Sequence, residues 1–312
     1  MMKDRILGIV GPTGSGKSAF AVDVAKRFGG EIISCDSVQI YRGFDIGSGK
    51  IKPSEMEGVP HHLLDIRIGN ESFSAGDFQS MAEGLVEEIR GRGHLPILVG
   101  GTGLYYRAFA YQYQLEPKTD ELDARERDIR RSLEKALLEE GSEGLYQALL
   151  QEDPRGARGV DPRHSSRVLR ALVYHRVHGK SISDGHRGMS GLRKDLVGVY
   201  LEMDRGMLYD RIDQRVDSMM EEGFLEEVQG LLKVGIQGDA APMRTIGYKE
   251  MVRVIRGELS LEEGVLAMKQ GSRNYAKRQI TWFRKHEELH RLDWGREEDL
   301  KKALVFLDNL LN

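Results

Sequence analysis

Eight residues near the start of the chain, GPTGSGKS at Gly11–Ser18, constrain this sequence more than any other segment. They follow an apolar stretch, Ile6–Val10, that reads as a buried strand, and they lead into a helical pattern over Ala19–Phe28. G-x-x-x-x-G-K-[ST] in a strand–loop–helix setting is a cradle for a chain of phosphates. Gly11, Gly14 and Gly16 let the backbone turn tightly and aim N–H groups inward, and the helix that follows adds its positive N-terminal end. Lys17 supplies a point charge, and the Ser18 hydroxyl can ligate a magnesium ion. The loop leaves open whether the phosphates belong to a nucleotide.

Strand and helix signals alternate over roughly the first 110 residues, which predicts a parallel sheet with helices on its faces. Glu31–Ser34 reads as a second strand, Ala75–Arg92 as a helix and Leu95–Val99 as a buried strand ending at Gly100-Gly101-Thr102-Gly103. From Asp123 to about Gly179 the signal is almost all helical and rich in arginine and glutamate. Strand character returns at Val197–Met203. Helices are predicted at Leu208–Glu222, Phe224–Val234, Thr245–Arg256 and Leu261–Lys285, with a closing strand at Leu289–Leu292. The expected fold is therefore α/β. A phosphate-loop parallel sheet flanked by helices spans 1–115 and 195–312, and an all-helical subdomain is inserted at 116–194.

The net charge of −3 over 312 residues gives no overall attraction to nucleic acid, although such an average can hide basic faces. The one cysteine, Cys35, excludes a disulfide framework and a cysteine-rich metal site. No apolar run is long enough to span a bilayer and the N-terminus carries no apolar signal segment, so the expectation is a cytoplasmic protein.

Asp36 lies just past the second strand, where open α/β sheets present catalytic groups. An aspartate there commonly caps a turn, but its place beside the phosphate pocket favours a role in the site. At the end of the strand Leu95–Val99, many phosphate-loop NTPases carry an acid for magnesium and water activation. Here the first hydroxyl-bearing side chain is Thr102, which disfavours a hydrolytic motor. His61 and His62 are neighbours on a strand and point to opposite faces, so they read as structural rather than as a metal pair. Arg163, Arg167 and Arg170 recur at helical spacing, as do Arg273, Lys277 and Arg284 with Tyr275, Arg278 and Trp282 close by. Cations interleaved with aromatics and almost no acids suit phosphate backbones and stacked bases. Arg211 and Arg215 lie one turn apart, placed either to reach a pyrophosphate or to bridge to Asp213 or Asp217.

Taken in order, GPTGSGKS, DSVQIYRGFDIGSGK, HHLLDI, GGTGLYY, RVDSMMEEGFLEEV, RTIGYKE and YAKRQITWFRK resemble the tRNA dimethylallyltransferase (tRNA isopentenylpyrophosphate transferase) family nearly end to end. The resemblance implies that Gly11, Thr13, Gly14, Ser15, Gly16, Lys17 and Ser18 hold the diphosphate of dimethylallyl diphosphate rather than ATP, with Mg²⁺ as cofactor on Ser18. The prenyl group would pass to N6 of adenosine 37 in the anticodon stem-loop of tRNA. Carried onto matching positions, Asp36 is the general base, Thr102 a pyrophosphate and transition-state contact, and Arg215 a clamp from the second side. Contacts to tRNA are implied for Asp36, Ser37, Val38, Gln39, Thr102, Arg130, Arg163, Arg167, Arg244, Gly247, Tyr248, Lys249, Arg273, Lys277 and Arg278. They fall in the segments Asp36–Gln39, Arg163–Arg167, Arg244–Lys249 and Ser272–Gln279, with Thr102 and Arg130 apart.

Gly14 and Ser18 stand where the family loop more often has Ala and Thr, and Arg163-His164 where it has an Asn-Asp pair. With a single cysteine the chain matches the bacterial form, which lacks the zinc finger of eukaryotic members, and we expect a monomer. The alternatives are an adenylate isopentenyltransferase or another small-molecule enzyme of the same loop class, such as a kinase, and a non-catalytic RNA-binding protein.

Overall fold

The computed structural model describes residues 4–113, 120–185, 191–296 and 298–311. The chain forms two compact units, one of residues 1–111 with 192–312 and one of 112–191. In the first, six parallel strands make one sheet: β1 (Ile6–Val10), β2 (Gly30–Ser34), β3 (His61–His62), β4 (Leu95–Gly100), β5 (Leu196–Glu202) and β6 (Leu289–Asp293). Their spatial order is β3-β2-β4-β1-β5-β6. Every residue of β1, β2 and β4 is buried, as strands covered on both faces must be.

Register places the site. Val10 is level with Gly100, and Ser34 with Val99. The loops that leave β1, β2 and β4 therefore emerge side by side at one sheet edge, bringing Gly11–Ser18, Asp36 and Thr102 together across long sequence gaps. Helix α1 (Lys17–Phe28) begins inside the phosphate motif, two positions before the expected start, because Gly16 at φ 80 delivers the chain straight into the helix. A serine–aspartate capping box, Ser74 with Asp77, starts α2 (Ala75–Gly91). Helix α3 (Gly103–Ala110) follows β4 and has no counterpart among the sequence expectations.

The second unit is helical: α4 (Asp120–Glu152), α5 (Pro154–Ala157), α6 (Ser165–His178) and α7 (Ile182–Gly185). Gly141, at φ 73 and ψ −178, breaks α4 into two limbs. Leu133, Leu145, Leu149, Val168 and Leu172 form its core. Buried Asp153 accepts the Gly156 N–H, the Ser181 hydroxyl and the Ile182 N–H, tying α5 to α7.

Back in the first unit come α8 (Arg205–Glu221), α9 (Phe224–Lys233), α10 (Tyr248–Ile255), α11 (Leu261–Phe283) and α12 (Asp299–Leu311). The helix expected from Thr245 starts only at Tyr248. A short 3-10 turn at Pro242–Arg244 precedes it, and Gly247 at φ 92 sets its N-terminus. Helix α12 was not expected; Ala303, Leu307 and Leu311 on its inner face join the core beneath α1.

Candidate active site

The phosphate loop is shaped from within. Gly14 and Gly16 take φ of 81 and 80, a region open to glycine at little cost. The Ser15 N–H is spent on the Pro12 carbonyl at 3.3 Å, and the Thr13 N–H on Gln279 Oε1 at 2.8 Å. Ser15 is also fully buried. The Ser15 and Thr13 amides thus hold the loop's shape, while the buried Ser15 hydroxyl has no hydrogen-bond partner among the described residues. The N–H groups of Gly14, Gly16, Lys17 and Ser18 have no protein acceptor among the described residues, as the first turn of a helix dictates.

Lys17 Nζ folds back to donate to the Pro12 carbonyl at 2.7 Å. Its ammonium is pulled down from 10.5 to about 7, chiefly by burial, with the Arg215 charge adding to the effect and Asp36 and Cys35 opposing it. Burial also pulls Arg215 down, against Asp36 and Glu55. The two half-buried cations thus act against one another, and a polyanion beside them would relieve both. Arg215 reaches the Gly49 carbonyl at 3.3 Å, and its possible intrahelical partners are engaged elsewhere. Asp213 pairs with Arg273 at 2.5 Å and Asp217 with Lys269 at 2.6 Å, both across to α11. Arg211 is exposed, with a long contact to the Gly295 carbonyl at 3.5 Å.

Asp36 does two jobs with one carboxylate. Its Oδ1 accepts the Val38 N–H at 2.8 Å and the Gln39 N–H at 3.3 Å, so it does cap a turn. Its charge also acts on Lys17, Arg215 and Tyr275 alike. The Tyr275 phenol is pushed up to about 12 by burial first and Asp36 next, against Arg278. Thr102 Oγ1 accepts the Ser37 N–H at 3.2 Å, which stitches the Asp36 turn to the end of β4. No acid stands at that end. On the other side of β1, strand β5 finishes at Glu202, whose carboxylate is turned to Arg291 at 3.6 Å. Beside Thr102 a cleft of about 260 Å³ is walled by Leu104, Tyr275, Arg278 and Trp282.

One residue absent from the sequence reading holds this arrangement in place. Glu227 of α9 accepts three successive backbone N–H groups, Asp45 at 3.0 Å, Ile46 at 2.6 Å and Gly47 at 3.2 Å, and the Tyr248 hydroxyl at 2.7 Å. That nest fixes the loop whose Gly49 carbonyl meets Arg215 and Gln39. A glutamate in a helix's first turn carries no sequence signal of such a partner. His62, read as structural, bonds the buried Glu31 at 2.7 Å, and Arg92 and His94 bond the same carboxylate.

Among the expected RNA contacts, Ser37, Val38 and Gln39 are half-buried around Asp36, while Arg244, Lys249, Lys277 and Arg278 are exposed. Arg278 lies over the Tyr275 ring at 5.6 Å. Four expectations need correction. Tyr248 is fully buried against Phe44 and Phe224, so its ring cannot meet RNA. Gly247 is buried and serves as the N-cap of α10. Arg273 is consumed by Asp213. Arg163 lies outside α6 and chelates Asp161, so it does not share the helix face of Arg167 and Arg170. In the second unit Arg167 and Arg170 are exposed with no ion pair among the described residues, and Arg130 is paired with Glu126 at 3.0 Å.

For magnesium, Ser18 offers one exposed hydroxyl at the cradle, and the described residues contain no cluster of three or more acidic, histidine or cysteine ligands. That donor set fits an ion carried largely by phosphate oxygens and water, the habit of Mg²⁺.

A phosphate loop with a carboxylate and a second, half-buried cation in electrostatic reach of its lysine fits a phosphate-loop transferase. The IPP transferase family profile matches residues 39–286. The tRNA dimethylallyltransferase of Halalkalibacterium halodurans is 42% identical over 99% of this chain and 97% of its own length, and that of Geobacillus thermodenitrificans 44% over 99% and 96%. The crystal structure of the full-length tRNA isopentenylpyrophosphate transferase from Bacillus halodurans superposes with a TM-score of 0.72 at 41% identity, covering 99% of this chain and 97% of the other. A eukaryotic dimethylallyltransferase described as acting on tRNA gives 0.82 at 27% identity, over 98% and 79%. The chain belongs to the IPP transferase family.

Proposed function

We propose that this chain transfers the dimethylallyl group of dimethylallyl diphosphate to N6 of adenosine 37 in tRNA, releasing diphosphate. The observation that carries the proposal is the convergence of the phosphate loop, Asp36 and Thr102 at one sheet edge, with Arg215 in electrostatic reach of Lys17. The names of the relatives support tRNA, rather than free AMP, as the acceptor.

The residues divide the chemistry between them. As the allylic C–O bond loosens, charge builds on the departing diphosphate. The amides of Gly14, Gly16, Lys17 and Ser18 with the Lys17 and Arg215 cations oppose that charge. Mg²⁺ held by the diphosphate and Ser18 would add Lewis-acid stabilisation. Adenine N6 is a poor nucleophile because its lone pair is delocalised into the ring. Asp36 takes the N6 proton as the N–C bond forms, an effect worth about 10²–10⁴-fold. Thr102 holds the Asp36 turn and can contact the reacting groups. The target base must leave its stack to reach the carboxylate, and the aromatic wall of Tyr275 and Trp282 offers a stacking surface beside Thr102.

Exposed Arg244, Lys249, Lys277 and Arg278, and in the helical unit Arg167 and Arg170, are the proposed phosphate contacts. A monomer working in the cytoplasm completes the proposal. Among the described residues no helix is long and apolar enough to cross a membrane. The test is incubation with Mg²⁺, labelled dimethylallyl diphosphate and either unmodified tRNA or AMP. Label on adenosine 37 is expected. Label on AMP in the absence of tRNA would transfer the proposal to the small-molecule alternative.

A further inference from the structure

Gln279 follows the exposed cations Lys277 and Arg278 on α11, yet its own side chain turns inward and the residue is 6% exposed. Both ends of its carboxamide are used. Oε1 accepts the Thr13 N–H at 2.8 Å, and Nε2 donates to the Gly101 carbonyl at 2.9 Å. The orientation of the amide follows from its partners, since an N–H can only donate and a carbonyl can only accept. Thr13 belongs to the phosphate loop after β1, and Gly101 to the turn after β4 that carries Thr102. A Cβ on Gly101 would run into the Gln279 amide, so the glycine makes room for the link.

One side chain thereby ties three segments together: the cradle, the turn that fixes Asp36 through Ser37, and the helix bearing the exposed cations. Glutamate could keep only the acceptor half of this link, and methionine neither half. We propose that Gln279 is a positioning residue, a strut that holds the phosphate loop and the Thr102 turn in register with α11, and that it does not itself touch RNA. The anion in the cradle is taken from the function proposed above; the strut rests on the two hydrogen bonds.

The experiment compares wild type, Gln279→Met and the double variant Lys277→Ala/Arg278→Ala by three readouts. These are amide hydrogen exchange of the 11–18 segment in the free protein, affinity for inorganic diphosphate, and affinity for tRNA. Gln279→Met should speed exchange in the loop, weaken diphosphate binding about tenfold through the orphaned Thr13 amide and raise the KM for the diphosphate substrate, with tRNA affinity unchanged. The double variant should show the reverse, weaker tRNA binding over an unaltered loop. Unchanged loop exchange in Gln279→Met, or a loss confined to tRNA binding, would overturn the strut.

Should Gln279→Met fail to fold, Gln279→Glu is measured against wild type at each pH. Its diphosphate affinity should recover as pH falls and the carboxyl regains a proton to donate to Gly101. A pH-independent match to wild type would overturn the proposal. A wild type that binds no diphosphate, beside a Gln279→Met variant whose loop still exchanges faster, would strike the function proposal and leave the strut standing.

Discussion

Lys17 is where the chemistry of the site and the stability of the protein pull in opposite directions. Burial, with the Arg215 charge, pulls its ammonium down from an ordinary 10.5 to about 7 in the folded chain. Between these two values the unfolded chain holds a proton that the folded chain has released, so the unliganded protein should gain stability as pH rises through that window. Diphosphate binding needs the charged form and should do the reverse, weakening above pH ~7 by up to tenfold per unit and taking up a proton. Calorimetry of diphosphate binding in buffers of different ionisation enthalpy, beside thermal melts over the same range, measures both slopes; parallel slopes would contradict this reading of Lys17. Asp36 also serves twice, as turn cap and as base. Asp36→Ala would remove the cap together with the base, whereas Asp36→Asn keeps the Oδ1 acceptor while losing the basicity and the negative charge beside Lys17 and Arg215.

At the scale of elements, the site depends on loops that are held from outside it. The Glu227 nest sets the Asp45–Lys50 loop, which in turn receives Arg215. Glu227→Gln places an NH₂ group among donors and should cost about 1–3 kcal/mol of stability. It should also weaken diphosphate binding without altering tRNA affinity; a stability loss with diphosphate affinity intact would show that the loop does not position Arg215. The strands and most helices that carry the site were legible from apolar periodicity, and Asp36 and Thr102 were legible because parallel strands present their C-terminal ends together. What could not be read were partners supplied from a distance. Nothing near Glu227 announces Asp45–Gly47, and nothing near His62 announces the buried carboxylate of Glu31, which Arg92 and His94 share and hold down at about 2. The arginine arrays misled for the same reason. The stretch from Arg273 to Lys285 lacks acids locally, but α8 delivers Asp213 to Arg273. The resemblance carried a tRNA contact onto Tyr248 within RTIGYKE, yet its ring fills the core between Phe44 and Phe224.

For the whole molecule, a net charge of −3 coexists with exposed cations in both units, so attraction to RNA must come from local arrays and not from total charge. Binding of tRNA should then weaken steeply with salt. Arg167→Ala/Arg170→Ala should lower the slope of log K against log salt by about one for each phosphate contact removed. Arg273→Ala, whose guanidinium is committed to Asp213, should leave that slope unaltered while destabilising the α8–α11 contact. An identical slope in the Arg167→Ala/Arg170→Ala protein would return α6 to a solvated face.

In the proposed reaction a diphosphate sits in the cradle as leaving group while Asp36 deprotonates the nucleobase amine. This is tested most directly by single-turnover transfer of labelled dimethylallyl from its diphosphate to unmodified tRNA, wild type beside Asp36→Asn. Label on adenosine 37 is expected with the wild type, and with Asp36→Asn a rate lower by about 10²-fold or more at saturating concentrations of both substrates. An Asp36→Asn protein that transfers at the wild-type rate, or a wild type that transfers nothing to tRNA, would contradict it.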